Sequence, residues 1–132
     1  MGQPAAKQGD QVVAVDTHIV MVPSGAALAP ALLPHPFAGV LNGGLSGDVK
    51  VMGLAAATAD STADNTPPHV PTPPGTSFQS PPSNRATVVQ GSPTVKINGK
   101  MAARNGDTAR TCNDPADLPN GKIIAAGTVF IG

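Results

Sequence analysis

The stretch VKINGKMAARNGD, residues 95–107, contains the features that decide the fold. Its first residues alternate between apolar and polar side chains, which predicts a short β-strand. Asn98–Gly99 predicts a tight turn, because both residue types tolerate a positive φ. The paired alanines that follow leave room for a close approach of neighbouring backbones, and Gly106–Asp107 predicts a second turn in which Asp bonds its own backbone. The stretch is therefore a strand, a turn, a small-residue segment and another turn.

The pattern G-x-x-A-A of this stretch occurs three times, beginning at Gly2, Gly53 and Gly99. The sequences GQPAAKQGD (2–10) and GKMAARNGD (99–107) match over nine positions without a gap. VKVMGLAAATAD (49–60) shares the preceding V-K-(V/I)-x-G, and it aligns with the third copy if one residue before its Asp is missing. Self-similarity of this kind predicts three repeated strand-turn units.

The C-terminal sequence GTVFIG, residues 127–132, resembles the TVKING that precedes the third copy. The first copy lacks such a strand, so the last strand is expected to lie beside the N-terminus and to close the three units into a ring. This arrangement predicts a compact, triangular, pseudo-threefold body formed by a single domain, residues 1–132.

The composition favours an all-β chain of short strands. The chain has no Glu and contains 15 Gly and 15 Pro, so its helix propensity is poor. Aromatic residues make up only 2% and the apolar residues are mostly Ala and Val, which predicts a thin core. A metal, a partner or oligomerisation is expected to help stabilise such a chain.

The composition and the charge pattern exclude several classes of protein. The formal net charge is zero and the basic residues are scattered, unlike the basic stripe of a nucleic-acid-binding protein. The longest apolar run, GAALAPALLP (25–34), is too short and too rich in proline to span a bilayer. The N-terminus has no apolar signal core, so we expect synthesis in the cytoplasm without a signal peptide. The single cysteine excludes a disulfide framework.

Three histidines and the cysteine are the candidate metal ligands. Each repeat start is followed at a similar distance by one of them: His18 and His69 lie sixteen residues after Gly2 and Gly53, and Cys112 lies thirteen after Gly99. Taken singly, each has an ordinary explanation as a surface or core residue. Around a common axis, however, these side chains would converge. Three imidazoles and one thiolate suit a closed, tetrahedral zinc site, with iron not excluded. The predicted ligands are His18, His35, His69 and Cys112.

PAAK (4–7) and MAAR (101–104), each followed by a polar residue and Gly-Asp, resemble the signature of PAAR-repeat proteins. The resemblance implies a small conical β-structure that sharpens the central spike of a contractile injection machine, with an apical zinc held by three His and one Cys. Residues 33–46 and 65–85 resemble the variant of phage-tail-like particles more than the type VI secretion form. There are departures, since the first motif ends in Lys, the third begins with Met, and the middle copy lacks both Arg and Gly.

The expected function is therefore that of a non-enzymatic tip. The resemblance implies that its base docks on a trimeric, VgrG-like spike protein with one tip per trimer, and that it touches the target membrane transiently. Because the chain stops just after the closing strand, any effector cargo is expected to be a separate protein. The tip would be assembled into the particle and delivered to, or released at, the target cell.

Two rival functions compete with this interpretation. A zinc hydrolase needs an open metal position and a base, but four ligands leave no open position, and only Asp16 and Asp114 lie near the ligands in sequence. The second rival is a binding module that presents proline-rich sequences such as PTPPG (71–75) to partner domains. In that case the segment 66–84 would be a disordered linker rather than part of the fold.

Overall fold

The computed structural model describes residues 2–132, and in that range the chain contains β-strands and no helix, which confirms the all-β prediction. Accordingly, the described residues include no helix long and apolar enough to cross a membrane. The strands, in chain order, are β1 (Gln3–Pro4), β2 (Gln11–Ser24), β3 (Ala27–Gly43), β4 (Lys50–Val51), β5 (Leu54–Ala55), β6 (Thr62–Asn65), β7 (Ser77–Phe78), β8 (Arg85–Val88), β9 (Lys96–Ile97), β10 (Lys100–Met101), β11 (Thr108–Thr111), β12 (Leu118–Ile124) and β13 (Phe130–Ile131).

Six antiparallel strands close into a barrel in the order β2, β3, β6, β8, β11 and β12. The closing pair joins β12 to β2, with Lys122 opposite Val13. Each repeat supplies two neighbouring strands, one that leaves it and one that returns toward the next repeat. The chain thus forms a closed body from three similar units, as the repeats predict.

At one end of the barrel the three repeats meet in a ring of backbone hydrogen bonds. The Ala6 N–H donates to the Ala103 carbonyl at 2.9 Å, the Ala103 N–H to Ala57 at 3.0 Å, and the Ala57 N–H to Ala6 at 3.0 Å. All three residues are buried. This alanine ring explains the paired alanines of the repeats, because a larger side chain could not fit where three backbones lie so close.

Below the alanine ring lie three two-stranded ribbons, β1–β13, β4–β5 and β9–β10, which we call the base ribbons. In the first, Gln3 pairs with Ile131 and Pro4 with Phe130, so the last strand does lie beside the N-terminal segment as predicted. Each ribbon contributes one buried branched side chain to a common core layer, and the residue that follows β1, β5 or β10 contributes one buried alanine. This layer consists of Ala5, Ala56, Ala102, Val51, Ile97 and Ile131.

The one-residue gap inferred in the middle repeat is wrong. Asp60 adopts a φ of 75°, as Gly9 and Gly106 do at 92° and 86°, so it occupies the glycine position of the second turn. Ser61 then takes the place of the final Asp, and its Oγ accepts the Thr58 N–H at 2.9 Å. A serine hydroxyl serves here as the turn acceptor, and the Asp expected at this position lies one residue earlier.

The other two repeats close the same turn with a carboxylate. Asp10 accepts the Lys7 N–H at 3.0 Å, and Asp107 accepts the Arg104 N–H at 2.8 Å. The three repeats therefore align without a gap over nine residues, 2–10, 53–61 and 99–107.

The barrel core is thin, as the composition predicts. Its central layer consists of six fully buried residues, one from each strand: Val12, Leu41, Ala63, Val88, Ala109 and Ile123. Gly121 lies above this layer, where an added Cβ would come within 2.8 Å of the Thr111 methyl group and 3.0 Å of a Val12 methyl group. Phe37 is the one aromatic ring in this cluster, and it separates the barrel core from the end opposite the base ribbons.

The exception to the expected short strands is the hairpin of β2 and β3, whose strands have 14 and 17 residues. This apical hairpin continues past the barrel and ends in the turn Gly25–Ala26. From His18 to Ser24 it extends for about 20 Å at the usual rise per residue. The proline-rich segment, residues 66–84, packs against it through β7, which pairs with β2 at Val20, so this segment is not a free linker.

Candidate metal centre

Three imidazoles converge at the end of the barrel opposite the base ribbons. The ring centroids lie 5.0 Å apart for His18 and His69, 5.4 Å for His18 and His35, and 5.6 Å for His35 and His69. His18 is on β2, His35 is on β3 and His69 lies in the proline-rich segment. Cys112 is buried directly after β11, with its Sγ 3.6 Å from His18 Nε2. All four predicted residues therefore lie in one cluster.

A fifth residue, Asp16, lies among them and is fully buried. Its Oδ2 is 2.9 Å from His69 Nε2 and 3.5 Å from Cys112 Sγ. Asp16, His18, His69 and Cys112 each offer one donor atom, and these four atoms lie within 4.8 Å of one another. The sequence predicts a role for Asp16 only as the base of a rival hydrolase. Side chains two residues apart on a β-strand lie on the same face, so the sequence contains a signal that Asp16 lies on the face of His18.

His35 lies beside this group, with both ring nitrogens engaged by the backbone. Its Nδ1 is 2.9 Å from the Leu33 carbonyl oxygen, and its Nε2 accepts the Thr72 N–H at 3.1 Å. Burial lowers the pKa of His35, which favours the neutral imidazole. In a neutral imidazole one nitrogen donates and the other accepts, so this pair of contacts satisfies the ring.

Further side chains fix the orientation of the cluster. The Thr111 hydroxyl donates to Asp16 Oδ1, and Asp114 Oδ2 lies 3.4 Å from His18 Nδ1 while it accepts the Ile19 N–H at 2.9 Å. Asn84 Oδ1 accepts the His69 N–H at 2.7 Å. Such outer hydrogen bonds are how proteins orient metal ligands.

The Cys112 thiol is in an environment that keeps it protonated without a metal. Burial, and next the negative charge of Asp16, raises its pKa to about 11. Cys112, His18 and Asp114 have the order of a nucleophile, a base and an orienting acid. A reactive cysteine, however, has a lowered pKa and a partly exposed side chain, whereas only 3% of Cys112 is exposed.

The donor set fits a divalent metal ion. Among residues 2–132 the only ion-pair partner of Asp16 is His69, and no Lys or Arg pairs with this carboxylate. A buried carboxylate next to a buried thiol is costly unless a cation compensates the negative charge. Carboxylate, imidazole and thiolate are all zinc ligands, and metal binding displaces the thiol proton. The cluster could therefore hold a metal ion.

Comparison with known families relates part of the chain to one of them. The family model described as the PAAR motif matches residues 78–132, which is less than half of the chain. The matched part contains the third repeat, Cys112 and the closing strand, but not the first two repeats. A comparison with curated proteins finds no match.

Proposed function

Because the PAAR-motif match over residues 78–132 supports a PAAR-repeat spike-tip protein, we propose that this chain caps and sharpens the central spike of a contractile injection machine. The PAAR family is a structural family rather than a family of enzymes. The tip is accordingly non-enzymatic, and it acts by its shape and by its resistance to unfolding.

The observation that carries this proposal is the pseudo-threefold base. One chain presents three equivalent base ribbons around the alanine ring, and a trimeric spike presents three equivalent subunits. Two of the ribbons also expose apolar side chains, Met52 and Leu54 on one and Val129 and Phe130 on the other. An exposed apolar patch of this kind marks an interaction surface. The base therefore suits a trimeric, VgrG-like spike, with one tip per trimer.

A structural metal at the opposite end supports the thin core. Its ligands are the four residues that the sequence predicts, His18, His35, His69 and Cys112. Structural zinc contributes on the order of 10–16 kcal/mol of apparent binding free energy in small zinc-dependent peptides. Part of that free energy would oppose forced unfolding, which depends on the unfolding rate.

The place of the tip in a particle follows from the resemblance of residues 33–46 and 65–85 to the phage-tail-like variant. The chain is synthesised in the cytoplasm, assembles onto the spike, and is delivered to or released at the target cell. Its contact with the target envelope during piercing is transient.

A binding experiment with a purified trimeric spike protein tests the docking. Native mass spectrometry is expected to show one chain per trimer, and Phe130→Asp is expected to weaken binding at least tenfold. Val70→Asp is the matched control, because Val70 is 74% exposed but lies in the proline-rich segment, away from the base ribbons. Three chains per trimer, or equal binding by both variants, would contradict the proposed docking.

A hydrolase is the second candidate function, because Cys112, His18 and Asp114 lie in the order of a nucleophile, a base and an orienting acid. Turnover of ester or peptide substrates that is lost on chelation but persists in Cys112→Ala would favour a zinc hydrolase. Turnover that Cys112→Ala abolishes would favour a cysteine nucleophile. We expect no reaction faster than in buffer without protein, because the Cys112 thiol is buried and its pKa is raised.

A further inference from the structure

We propose that the hairpin end, residues 22–29 at the free end of the apical hairpin, inserts its apolar side chains into a phospholipid bilayer at the boundary between headgroups and acyl chains. This inference rests on the proposed function and deepens it, because it names lipid as the first partner of the end that meets the target envelope. A point that only pierces needs no affinity for lipid, whereas the hairpin end holds the membrane before force is applied.

The first support is the absence of charge from the apical part of the chain. All eight basic and all eight acidic residues lie outside residues 17–47 and 65–84, which include most of the apical hairpin and the proline-rich segment. The barrel differs, since its strands expose Arg85, Arg110 and Lys122. A surface without charges does not complement an anionic membrane surface or a charged protein. It does suit hydrocarbon, in which a charged side chain is costly.

The second support is that both faces of the apical hairpin are apolar beyond the metal centre. On one face the opposed pairs are Ile19–Leu32, Met21–Pro30 and Pro23–Leu28, and on the other they are Val20–Ala31 and Val22–Ala29. A sheet with one face in water usually alternates apolar and polar residues, and this hairpin does not. Leu28 and Leu32 are 52% and 58% exposed. An exposed apolar surface of this kind marks a site of contact with a protein or a membrane.

The third support is the backbone along the edges of the hairpin. Odd-numbered residues of β2 direct their backbone groups outward, as Met21 does when its carbonyl accepts the Thr76 N–H at 2.9 Å. Pro23 has this parity, and Pro30 is opposite Met21 on the outward parity of β3, so neither position has an N–H. An unpaired N–H is costly in lipid, and these prolines remove two of them. Prolines on an edge also oppose pairing with a second copy of the chain.

The free length of the hairpin limits the depth of insertion. β7 pairs with β2 at Val20 and Met21, and from Met21 to Ser24 the strand continues for about 10 Å. Segments that bind at the headgroup–acyl boundary bury their apolar side chains to a depth of about 5–10 Å. Because open strand edges are unstable in the interior of a bilayer, the hairpin end stays at this boundary and does not span the membrane.

Flotation of the full-length protein with neutral phosphatidylcholine vesicles tests this binding. We expect the wild type to float with the vesicles, and Leu28→Asp to have a partition constant at least about tenfold lower, as for loss of one buried leucine side chain. Ile124→Asp is the matched control, because Ile124 is also 52% exposed but lies on β12 opposite Gln11. Circular dichroism checks that the variants are folded. A wild type that does not float, or equal weakening by both variants, overturns the inference.

A fluorescent reporter measures the depth of the hairpin end. The chain has no Trp and no Tyr, so Leu28→Trp gives a signal without background. Phosphatidylcholine brominated on its acyl chains should quench this emission, and it should leave the emission of Ile124→Trp unchanged. Equal quenching of the two variants would contradict insertion by the hairpin end, because it would mean that the chain binds lipid without this orientation.

Anionic lipid separates recognition of hydrocarbon from recognition of headgroups. Replacing part of the neutral lipid should change the partition constant by no more than about twofold, because the hairpin end has no Lys or Arg to attract anionic lipid. Binding that requires anionic lipid would assign the contact to basic residues elsewhere and overturn the inference. Self-association that Leu28→Asp abolishes, without binding to vesicles, would instead assign the hairpin end to a second copy of the chain.

These outcomes are separate from docking on the spike. A protein that docks on a trimeric spike but does not bind vesicles overturns this inference alone. A protein that binds vesicles through Leu28 but docks on no spike supports lipid binding, while the proposed docking fails.

Discussion

The two ends of the barrel are built by different means. At the base, the three repeats make the same contact three times, and the alanine ring consists of backbone hydrogen bonds between Ala6, Ala57 and Ala103. At the apex the repeats contribute different residues. Asp16, His18 and His35 follow the first repeat, His69 follows the second and Cys112 follows the third. The repeats therefore form the frame, while the divergent connections between them supply the residues of the candidate metal centre.

This difference predicts that the folded apex depends on the metal and that the base does not. Removal of the metal is therefore expected to have the largest effect. The base is held by backbone pairing and a shared apolar layer, so it should stay folded when a chelator strips the metal. The apex brings a carboxylate and a thiol together, and it should loosen. The free energy of unfolding should fall by a part of the roughly 10–16 kcal/mol that structural zinc contributes in small zinc peptides.

Hydrogen exchange with and without chelator measures this contrast. Amides of the proline-rich segment and of Cys112 should lose protection, while those of Ala6, Ala57 and Ala103 should keep it. Uniform loss of protection would contradict this prediction, because it would mean that the molecule unfolds as one cooperative unit when the metal leaves.

The next effect concerns the base alone. Ala57→Leu places a large side chain in the alanine ring and should lower the free energy of unfolding by about 3 kcal/mol, at the upper end of the usual cost of overpacking. Ala29→Leu makes the same change at an exposed position of β3 and should have little effect. Both are measured by urea unfolding of the zinc-loaded protein. A tolerated leucine at position 57 would show that the ring is not closely packed.

The same contrast explains what could be predicted from the sequence. The strands, turns, closing ribbon and pseudo-threefold ring follow from local residue types that recur, such as Asn98–Gly99 and the paired alanines. Substitutions within the pattern were harder to recognise: Met52 adopts a φ of 52° where the third repeat has Asn98, and Ser61 replaces an Asp. Such residues fit because tertiary contacts override local preference.

The apical centre was predicted only in part because its members come from connections of unequal length. Cysteine and histidine are conspicuous by residue type, so His18, His69 and Cys112 were found. Asp16 was not recognised as part of the cluster, because the chain has seven other Asp residues and several of them occur in turns. The length of the apical hairpin was also missed, since its prolines obscure the alternation typical of a strand.

A smaller effect is expected from making the second repeat resemble the others. Ser61 Oγ accepts the Thr58 N–H and donates to the Gly44 carbonyl, each at 2.9 Å. Ser61→Asp keeps the acceptor but cannot donate, so the free energy of unfolding should fall by about 1–3 kcal/mol. In the third repeat the corresponding Asp107 pairs with Arg104, whose Nη2 lies 2.9 Å away.

Thr58→Arg combined with Ser61→Asp should therefore recover part of the loss. A double-mutant cycle in urea isolates the coupling between the two positions, which we expect to be favourable by about 1 kcal/mol. If Ser61→Asp alone is neutral, the second repeat does not depend on its hydroxyl, and the three repeats are more nearly equivalent than the hydrogen bonds indicate.

The smallest effect on stability is expected at the far end of the apical hairpin, where the backbone of β3 has a free edge. Even-numbered residues of β3 direct their backbone groups away from β2, as Ala38 does when it bonds Asn65 and Thr66. Pro30, Pro34 and Pro36 occupy this parity and have no N–H. Prolines at such positions prevent the pairing of an exposed edge with another chain.

Pro30→Val would restore an N–H on this edge. Unfolding free energy should change by no more than about 0.5 kcal/mol, because the residue is exposed. Sedimentation velocity should nevertheless show concentration-dependent association that is absent from the wild type. Ala29→Val is the matched control, since its N–H faces β2 and it adds the same side chain without opening the edge. Equal association of the two variants would indicate that added apolar surface, rather than a free N–H, drives the contact. The prolines would then have no protective role at the apex, whereas the base ribbons limit pairing by being only two residues long.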